Sequence, residues 1–246
     1  MPITLAMFDM AATTVDDTID GHPLVLQSFA ESFAAAQVRV PWEELNAQRG
    51  KDKLEVFRTL LASYGGLHGA PLEHTAQELL QYFTAQLLRN IKRLQEMPGD
   101  TTAFTFLKER RIFVALGSGF PLEVTQAIVD HLGWTTAGLV DFVTCGAAAG
   151  GGRPRPHMIN RALQTARLLP ATSPVDGVVP GFDYRQVLKV GDTVQDIAEG
   201  RHVGALTIAV ASGTHTVDIL TQACPTAVLP SVAALPAYLV THGWVH

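Results

Sequence analysis

A chain of 246 residues that is 47% apolar can bury a large core, and its length suits either one α/β domain or a core domain with a smaller insertion. A formal charge of -5 with no run of Lys or Arg leaves no electrostatic footprint for nucleic acid or for an anionic membrane surface. Cys145 and Cys224 are the only cysteines and belong to no CxxC or Cys/His cluster, so neither a disulfide framework nor a zinc site is signalled.

The chain begins Met1-Pro2-Ile3-Thr4 with no basic region, and its first apolar run stops at Asp9, too short for a signal peptide or a membrane span. A cytoplasmic location is expected. The run Ile3 to Phe8 predicts a first strand. From about Asp17 to Met97 no strand stands out, and apolar residues recur at helical spacing, as in Val25, Leu26, Phe29 and Phe33 and again in Leu79, Leu80, Phe83 and Leu87. An all-helical insertion after the first strand is the expectation, with Pro98-Gly99 marking the return to the core. Further strand-like runs follow at Ile112 to Leu116, Asp141 to Cys145, Val187 to Val190 and Leu206 to Val210, with helix-like segments between most of them. Strands alternating with helices predict a parallel α/β sheet.

The Gly-rich run Gly146 to Gly152 follows a strand and so falls at the carboxyl ends, where ligands bind in such sheets. It lacks both GxGxxG order and a GK[ST] ending. The Pro, Gly and Ser-rich stretch Leu168 to Asp183 precedes a strand and falls at the opposite ends. Four polar residues follow four separate core strands: Asp9 after the first, Ser118 after the second, Arg153 shortly after the third and Asp192 after the fourth. In a parallel sheet all four converge on one crevice.

These positions carry a resemblance to the haloacid dehalogenase superfamily. Its four motifs match Phe8-Asp9-Met10-Ala11-Ala12-Thr13-Thr14-Val15-Asp16, Ala115-Leu116-Gly117-Ser118-Gly119-Phe120, Gly152-Arg153-Pro154-Arg155-Pro156 and Val190-Gly191-Asp192-Thr193-Val194-Gln195-Asp196-Ile197. The resemblance implies a Rossmann-like core of residues 1–16 and 98–246 with a helical cap of residues 17–97. It implies that Asp9 attacks phosphorus to give an aspartyl-phosphate, that Ser118 and Arg153 hold the phosphoryl oxygens, and that Asp192 ligates Mg²⁺. A hard cation prefers oxygen ligands, so the candidate set that the resemblance implies is Asp9, the main-chain carbonyl of Ala11 and Asp192, completed by water. Asp196, four residues beyond Asp192, is a candidate for the metal directly or through water, or for a helix N-terminal carboxylate.

Ala11 narrows the resemblance. Phosphatase members carry an acid two residues after the nucleophile to protonate the departing alkoxide, and here that acid is absent. The phosphonatase branch also has Ala there, within an Asp-x-Ala-Gly-Thr-Thr-Val-Asp motif that Asp9 to Asp16 follows except at Ala12. A phosphorus-to-carbon bond has no leaving oxygen to protonate and instead needs an electron sink. In that branch a cap lysine in a Met-Gly-x-x-Lys motif forms an imine with phosphonoacetaldehyde. Arg49-Gly50-Lys51-Asp52-Lys53 matches the motif apart from Arg49, making Lys53 the candidate imine former. An ordinary lysine is almost wholly charged at neutral pH, so burial and the nearby cations Lys51 and Arg49 are expected to lower its pKa.

Val56 stands where the branch has His, and Met10 where it has Trp. Ala12 stands where it has Gly, a change that costs roughly 1 kcal/mol or more if φ is positive there. His22, His157 and Arg155 receive no catalytic role. The leading expectation is thus Mg²⁺-dependent hydrolysis of the C–P bond of phosphonoacetaldehyde or a similar small phosphonate. The alternatives are a phosphatase acting on a small phosphate monoester and a non-catalytic binder of phosphorylated ligands. The expected partner is a small phosphonate or phosphate, with no nucleic acid and no membrane, and the resemblance is compatible with a homodimer.

Overall fold

A computed structural model describes residues 2–245. In chain order, β1 (Leu5–Phe8) is followed by β2 (Val15–Asp16), β3 (Thr18–Ile19) and β4 (His22–Pro23), then by α1 (Leu24–Ala35), α2 (Trp42–Ala47), α3 (Lys53–Gly65) and α4 (Gly69–Asn90). Next come β5 (Gln95–Glu96), α5 (Asp100–Glu109), β6 (Phe113–Ser118), α6 (Leu122–His131), β7 (Phe142–Cys145), the single turn α7 (Gly146–Ala149) and α8 (His157–Thr165). The last elements are β8 (Val187–Gly191), α9 (Val194–Val203), β9 (Leu206–Val210), α10 (Val217–Gln222), β10 (Ala227–Leu229) and α11 (Leu235–Thr241).

Six strands form one parallel sheet in the order β10-β9-β8-β1-β6-β7. From β1 the chain winds outward through β6 and β7, then crosses back to β8 and winds the other way. The reversal opens a crevice at the carboxyl ends of β1 and β8, where ligands bind in such sheets. Register aligns those ends, because Phe8 lies opposite Leu116 on one side and Val190 on the other. The residues that follow each strand therefore reach the same rim.

Strand side chains alternate between two apolar clusters, as the period of two requires. Ala6, Phe8, Val114, Leu116, Leu188 and Val190 face one cluster, which also holds Phe104, Val124, Ile128 and Trp134 from α5, α6 and the turn after it. Leu5, Met7, Ala115 and Val187 face the other, against Met158, Ile159, Ala162 and Leu163 of α8. Both faces are covered, which is why these strands read as continuous apolar runs. The first cluster extends into α1, α3 and α4, where Phe29, Phe33, Phe57 and Phe83 pack ring on ring at centroid distances of 4.9 to 5.9 Å.

The five expected core strands are present with ends shifted by one or two residues, and β10 is an addition. The segment 17–97 is not wholly helical. β3 and β4 form a hairpin around Asp20-Gly21, whose φ angles of 52° and 80° suit a tight two-residue turn. β2 pairs antiparallel with β5, so the two chain crossings between the sheet and α1–α4 are stitched to one another. Strands of two residues carry no readable periodicity, although Asp20-Gly21 is itself a hairpin signal.

Candidate active site

Asp9 follows β1, and its amide donates to the Val190 carbonyl of β8 at 2.9 Å, so the sheet register itself holds the backbone beneath the carboxylate. The turn that follows closes on Met10, whose carbonyl accepts from the amides of Thr13, Thr14 and Val15 at 3.1, 2.9 and 2.8 Å. Thr14 Oγ1 donates to the Asp9 carbonyl at 2.9 Å, and Thr13 Oγ1 donates to Asp192 Oδ1 at 3.0 Å, joining the loops after β1 and β8. Ala12 sits at φ 60°, the left-handed region in which glycine is preferred.

Arg153 is the hub of the buried charges. Its Nη2 lies 2.8 Å from Asp9 Oδ1 and donates to the Gly117 carbonyl at 2.5 Å. Its Nη1 donates to the Gly50 carbonyl at 3.1 Å, and its Nε lies 3.1 Å from Glu199 Oε2 and 3.0 Å from Asp196 Oδ1. Lys189 Nζ meets Asp196 Oδ1 at 2.7 Å and Glu199 Oε2 at 3.4 Å. Asp196 is also the third residue of α9 in a capping box with Thr193. Burial pushes the Asp196 carboxyl up, but Arg153, Lys189 and the hydrogen bonds from Lys189 and Thr193 outweigh it and hold the group below its ordinary range. Asp9 goes the other way: burial raises its carboxyl, and Asp196 adds repulsion, against the pull of Arg153.

Lys53 opens α3 beside the helix cap Asp52, whose carboxylate accepts from the Glu55 amide at 3.2 Å. The side chain is 4% exposed. Its Nζ donates to the Lys51 carbonyl at 3.0 Å and lies 5.6 and 5.5 Å from the ring centres of Phe29 and Phe120. Burial, helped by Arg153 and Arg49 against the opposing charges of Asp9 and Asp52, lowers its pKa to about 8. The loop before α3 reaches this position by close contact with the core. A side chain at Gly50, where φ is 81°, would come within 2.6 Å of Thr193 Oγ1, and one at Gly119 would run into the Lys51 carbonyl.

Asp9, Ala11, Arg49, Lys53, Ser118, Arg153 and Asp192 line one narrow crevice. Ser118 Oγ accepts from the Phe120 amide at 3.0 Å, which leaves its hydroxyl proton free to donate. Carboxylate oxygens of Asp9, Asp192 and Asp196 lie within 4.8 Å of one another. Asp192 Oδ2 is buried with no hydrogen-bond partner among the described residues, and burial, with Asp9 and Asp196 adding to it, pushes the Asp192 carboxyl up to about 8. An orphaned buried oxygen among crowded carboxylates suits a hard divalent cation, which would satisfy the oxygen and remove the repulsion. The Ala11 carbonyl stands outside the turn bonds made by Met10 and Ala12 and so remains eligible as a further oxygen ligand.

Asp9, Ala11, Lys53, Ser118, Arg153 and Asp192, the residues given site roles by sequence, line this crevice, and Asp196 lies against it through Arg153. Asp196 adopts the helix-terminal position while lying near the carboxylate pair. His22 is exposed on β4, His157 is buried against Gly151 at the start of α8, and Arg155 is exposed; none of the three lines the crevice. Glu199, which with Asp196 holds Arg153, and Lys189, which pairs with both carboxylates, are additions to the sequence reading. The signal lay in Val187-Leu188-Lys189-Val190, a charge inside a strand buried on both faces, which demands a buried counter-charge. Phe120, which flanks Lys53 and lines the crevice, reads from sequence only as an apolar residue after Ser118.

A family model described as haloacid dehalogenase-like hydrolase matches residues 3–204. A phosphonoacetaldehyde hydrolase from Bacillus cereus is 27% identical over 227 residues, covering 89% of this chain and 80% of the relative. Among solved structures, a phosphonoacetaldehyde hydrolase-like protein from Oleispira antarctica superposes with a TM-score of 0.75 at 20% identity, covering 98% of this chain and 92% of its own. A β-phosphoglucomutase from Clostridium difficile gives 0.75 at 13% identity, covering 98% and 97%. The two structural likenesses speak for the fold, and the family match spans most of the chain. The protein belongs to the haloacid dehalogenase-like hydrolases.

Proposed function

We propose that this hydrolase cleaves the carbon–phosphorus bond of phosphonoacetaldehyde or a similar small carbonyl phosphonate, with Asp9 as nucleophile and Lys53 as electron sink. The observation that carries the reading is the placement of a buried lysine amine, its pKa brought to about 8, in the same small crevice as Asp9. Residues 1–16 and 98–246 serve as the catalytic core and residues 17–97 as the cap that brings Lys53 over it.

The neutral Lys53 amine adds to the substrate carbonyl and loses water to form an imine. Asp9 then attacks phosphorus. The electron pair of the breaking C–P bond flows into the imine to give an enamine, so the absence of an acid at Ala11 has no cost for this leaving group. Arg153 holds Asp9 in line, Ser118 Oγ donates to a phosphoryl oxygen, and the Arg153 guanidinium balances charge on the phosphoryl group. Water hydrolyses the aspartyl-phosphate to phosphate. The enamine takes a proton at carbon, and a second water releases the aldehyde and restores Lys53, which replaces the water lost in imine formation. A Mg²⁺ ion, held by Asp9, the Ala11 carbonyl and Asp192, supplies neutralisation of phosphoryl charge when bound. The likeness to phosphonoacetaldehyde hydrolases at 22% and 27% identity supports the reading.

The test is borohydride reduction of the protein with phosphonoacetaldehyde and Mg²⁺, followed by intact-mass analysis beside Lys53→Ala, with phosphate release assayed in parallel. A Lys53-dependent adduct with Mg²⁺-dependent phosphate release is expected. Release of phosphate from small phosphate monoesters that survives Lys53→Ala, with no adduct, would replace this reading with a phosphatase.

A further inference from the structure

Among the described cations that line the crevice, Arg49 makes no side-chain hydrogen bond. Arg153 and Lys189 are committed to Asp9, Asp196 and Glu199, and Lys53 Nζ donates to the Lys51 carbonyl. Arg49 differs. It lies in the loop between α2 and α3, is 3% exposed and lines the crevice beside Lys53 and Asp192. Its one ion pair among the described residues is with Asp17 Oδ1, at 3.6 Å and beyond hydrogen-bond reach, while Asp17 Oδ2 accepts from the Val25 amide at 3.4 Å. Asp17 thus steadies the guanidinium without using its fork of donors. A guanidinium that lines the crevice with its donors unspent is placed to receive an anionic group of a ligand.

We propose that Arg49 receives a carboxylate on the substrate, so that the preferred substrate is a 2-oxo acid carrying the phosphono group on the adjacent carbon rather than the simple aldehyde. Arg49 and Lys53 belong to one five-residue stretch that packs onto the core as a unit, and they approach the same ligand together. The planar fork of a guanidinium matches a carboxylate with two parallel hydrogen bonds. A 2-oxo acid places such a carboxylate on the carbon next to the carbonyl that Lys53 attacks. The inference rests on the C–P hydrolysis reading for its chemistry, which is unchanged. Lys53 forms the imine at the keto carbon, the C–P electron pair becomes the enamine, and one net water converts 3-phosphonopyruvate to pyruvate and phosphate.

The test separates Arg49 from turnover by using inert ligands. Affinities of 3-phosphonopropionate and propylphosphonate, which differ by a carboxylate, are measured calorimetrically with Mg²⁺ for the wild type, Arg49→Met and Arg49→Lys. In parallel, phosphate release is followed from 3-phosphonopyruvate and phosphonoacetaldehyde. The wild type is expected to prefer the carboxylate-bearing ligand by roughly 10-fold to 100-fold, the range for a charge-assisted pair. Arg49→Met should abolish that preference and Arg49→Lys should keep part of it. The ratio of kcat/KM for 3-phosphonopyruvate over phosphonoacetaldehyde should fall by a similar factor in Arg49→Met. Equal wild-type affinity for the two ligands, a preference that survives Arg49→Met, or an equal loss for both ligands would overturn the inference. In the last case Arg49 serves the phosphoryl group. An Arg49-dependent binding preference without phosphate release would uphold Arg49 and sink the hydrolysis reading; phosphate release with no such preference would do the reverse.

Discussion

Arg153 Nη2 and Asp9 Oδ1 stand 2.8 Å apart with both side chains buried, so the carboxylate proposed as nucleophile is held by the same guanidinium that ties down Asp196 and Glu199. Removing Arg153 leaves three buried carboxylates short of a partner. Arg153→Ala should cost about 3–5 kcal/mol of stability, the usual penalty for breaking a buried ion pair. It should also lower turnover by roughly 100-fold or more through loss of charge stabilisation. Urea denaturation and phosphate release measure the two effects. A variant of unchanged stability would show that the network is not holding the loops together.

In the proposed chemistry Lys53 reacts only when neutral, and its pKa of about 8 fixes the direction of the expected pH dependence. The rate of borohydride trapping with phosphonoacetaldehyde should rise about tenfold per pH step from 6 to 7 and level off above about 8. An ordinary exposed lysine would go on rising past pH 9. A plateau displaced to pH 10 would mean that the amine is not buried as described.

Asp192 links metal affinity to protons. Its carboxyl, pushed up to about 8, gives up a proton when a divalent cation takes the site, so Mg²⁺ binding near pH 7 should release acid and tighten as pH rises. In the metal-free protein a raised carboxyl favours the fold most below its unfolded pKa near 4, and that advantage is lost as pH climbs toward 8. Mg²⁺ at about 100 times its Kd should restore about 2.7 kcal/mol. Asp192→Asn should abolish most of that gain in a thermal melt while making the metal-free protein less sensitive to pH. A melt of Asp192→Asn that still rises with Mg²⁺ as in the wild type would exclude Asp192 as a ligand.

Ala12, at φ 60°, bears a methyl group in a conformation that costs L-residues about 1–2 kcal/mol. Ala12→Gly relieves that strain and gives back part of the gain through the greater freedom of the unfolded chain. A net stabilisation of about 0.5–1 kcal/mol is expected in chemical denaturation. A loss of stability would indicate that the methyl group, buried beside the turn, contributes more by packing than it costs by strain.

The sheet and the crevice were legible because each depends on short-range pattern. Apolar runs covered on both faces mark the strands, and in a parallel sheet the next polar residue marks the site, which is how Asp9, Ser118 and Asp192 stand out. Lys53 was legible only through motif register, because nothing local distinguishes it from a solvated residue at a helix start. The partners that give the site its electrostatics were not. Lys189 and Glu199 meet Asp196 and Arg153 through pairings between α9, β8 and the loop after α7, and sequence spacing does not encode which carboxylate a buried cation will choose. Arg49 was visible as a departure from a motif, yet its free donors became apparent only when Asp17 was found at a distance too long to use them.

The pairing of β2 with β5 has a mechanical consequence. The Thr14 carbonyl accepts from the Met97 amide at 3.1 Å, and Val15 and Asp16 pair with Glu96 and Gln95, so the ribbon is a direct continuation of the turn that carries Asp9. The two linkers are thus one hydrogen-bonded ribbon, and a swing of α1–α4 would be transmitted to the loop that carries Asp9. On the proposed reading, admission of substrate and alignment of the Asp9 carboxylate would share a single lever, with Lys53 at its far end.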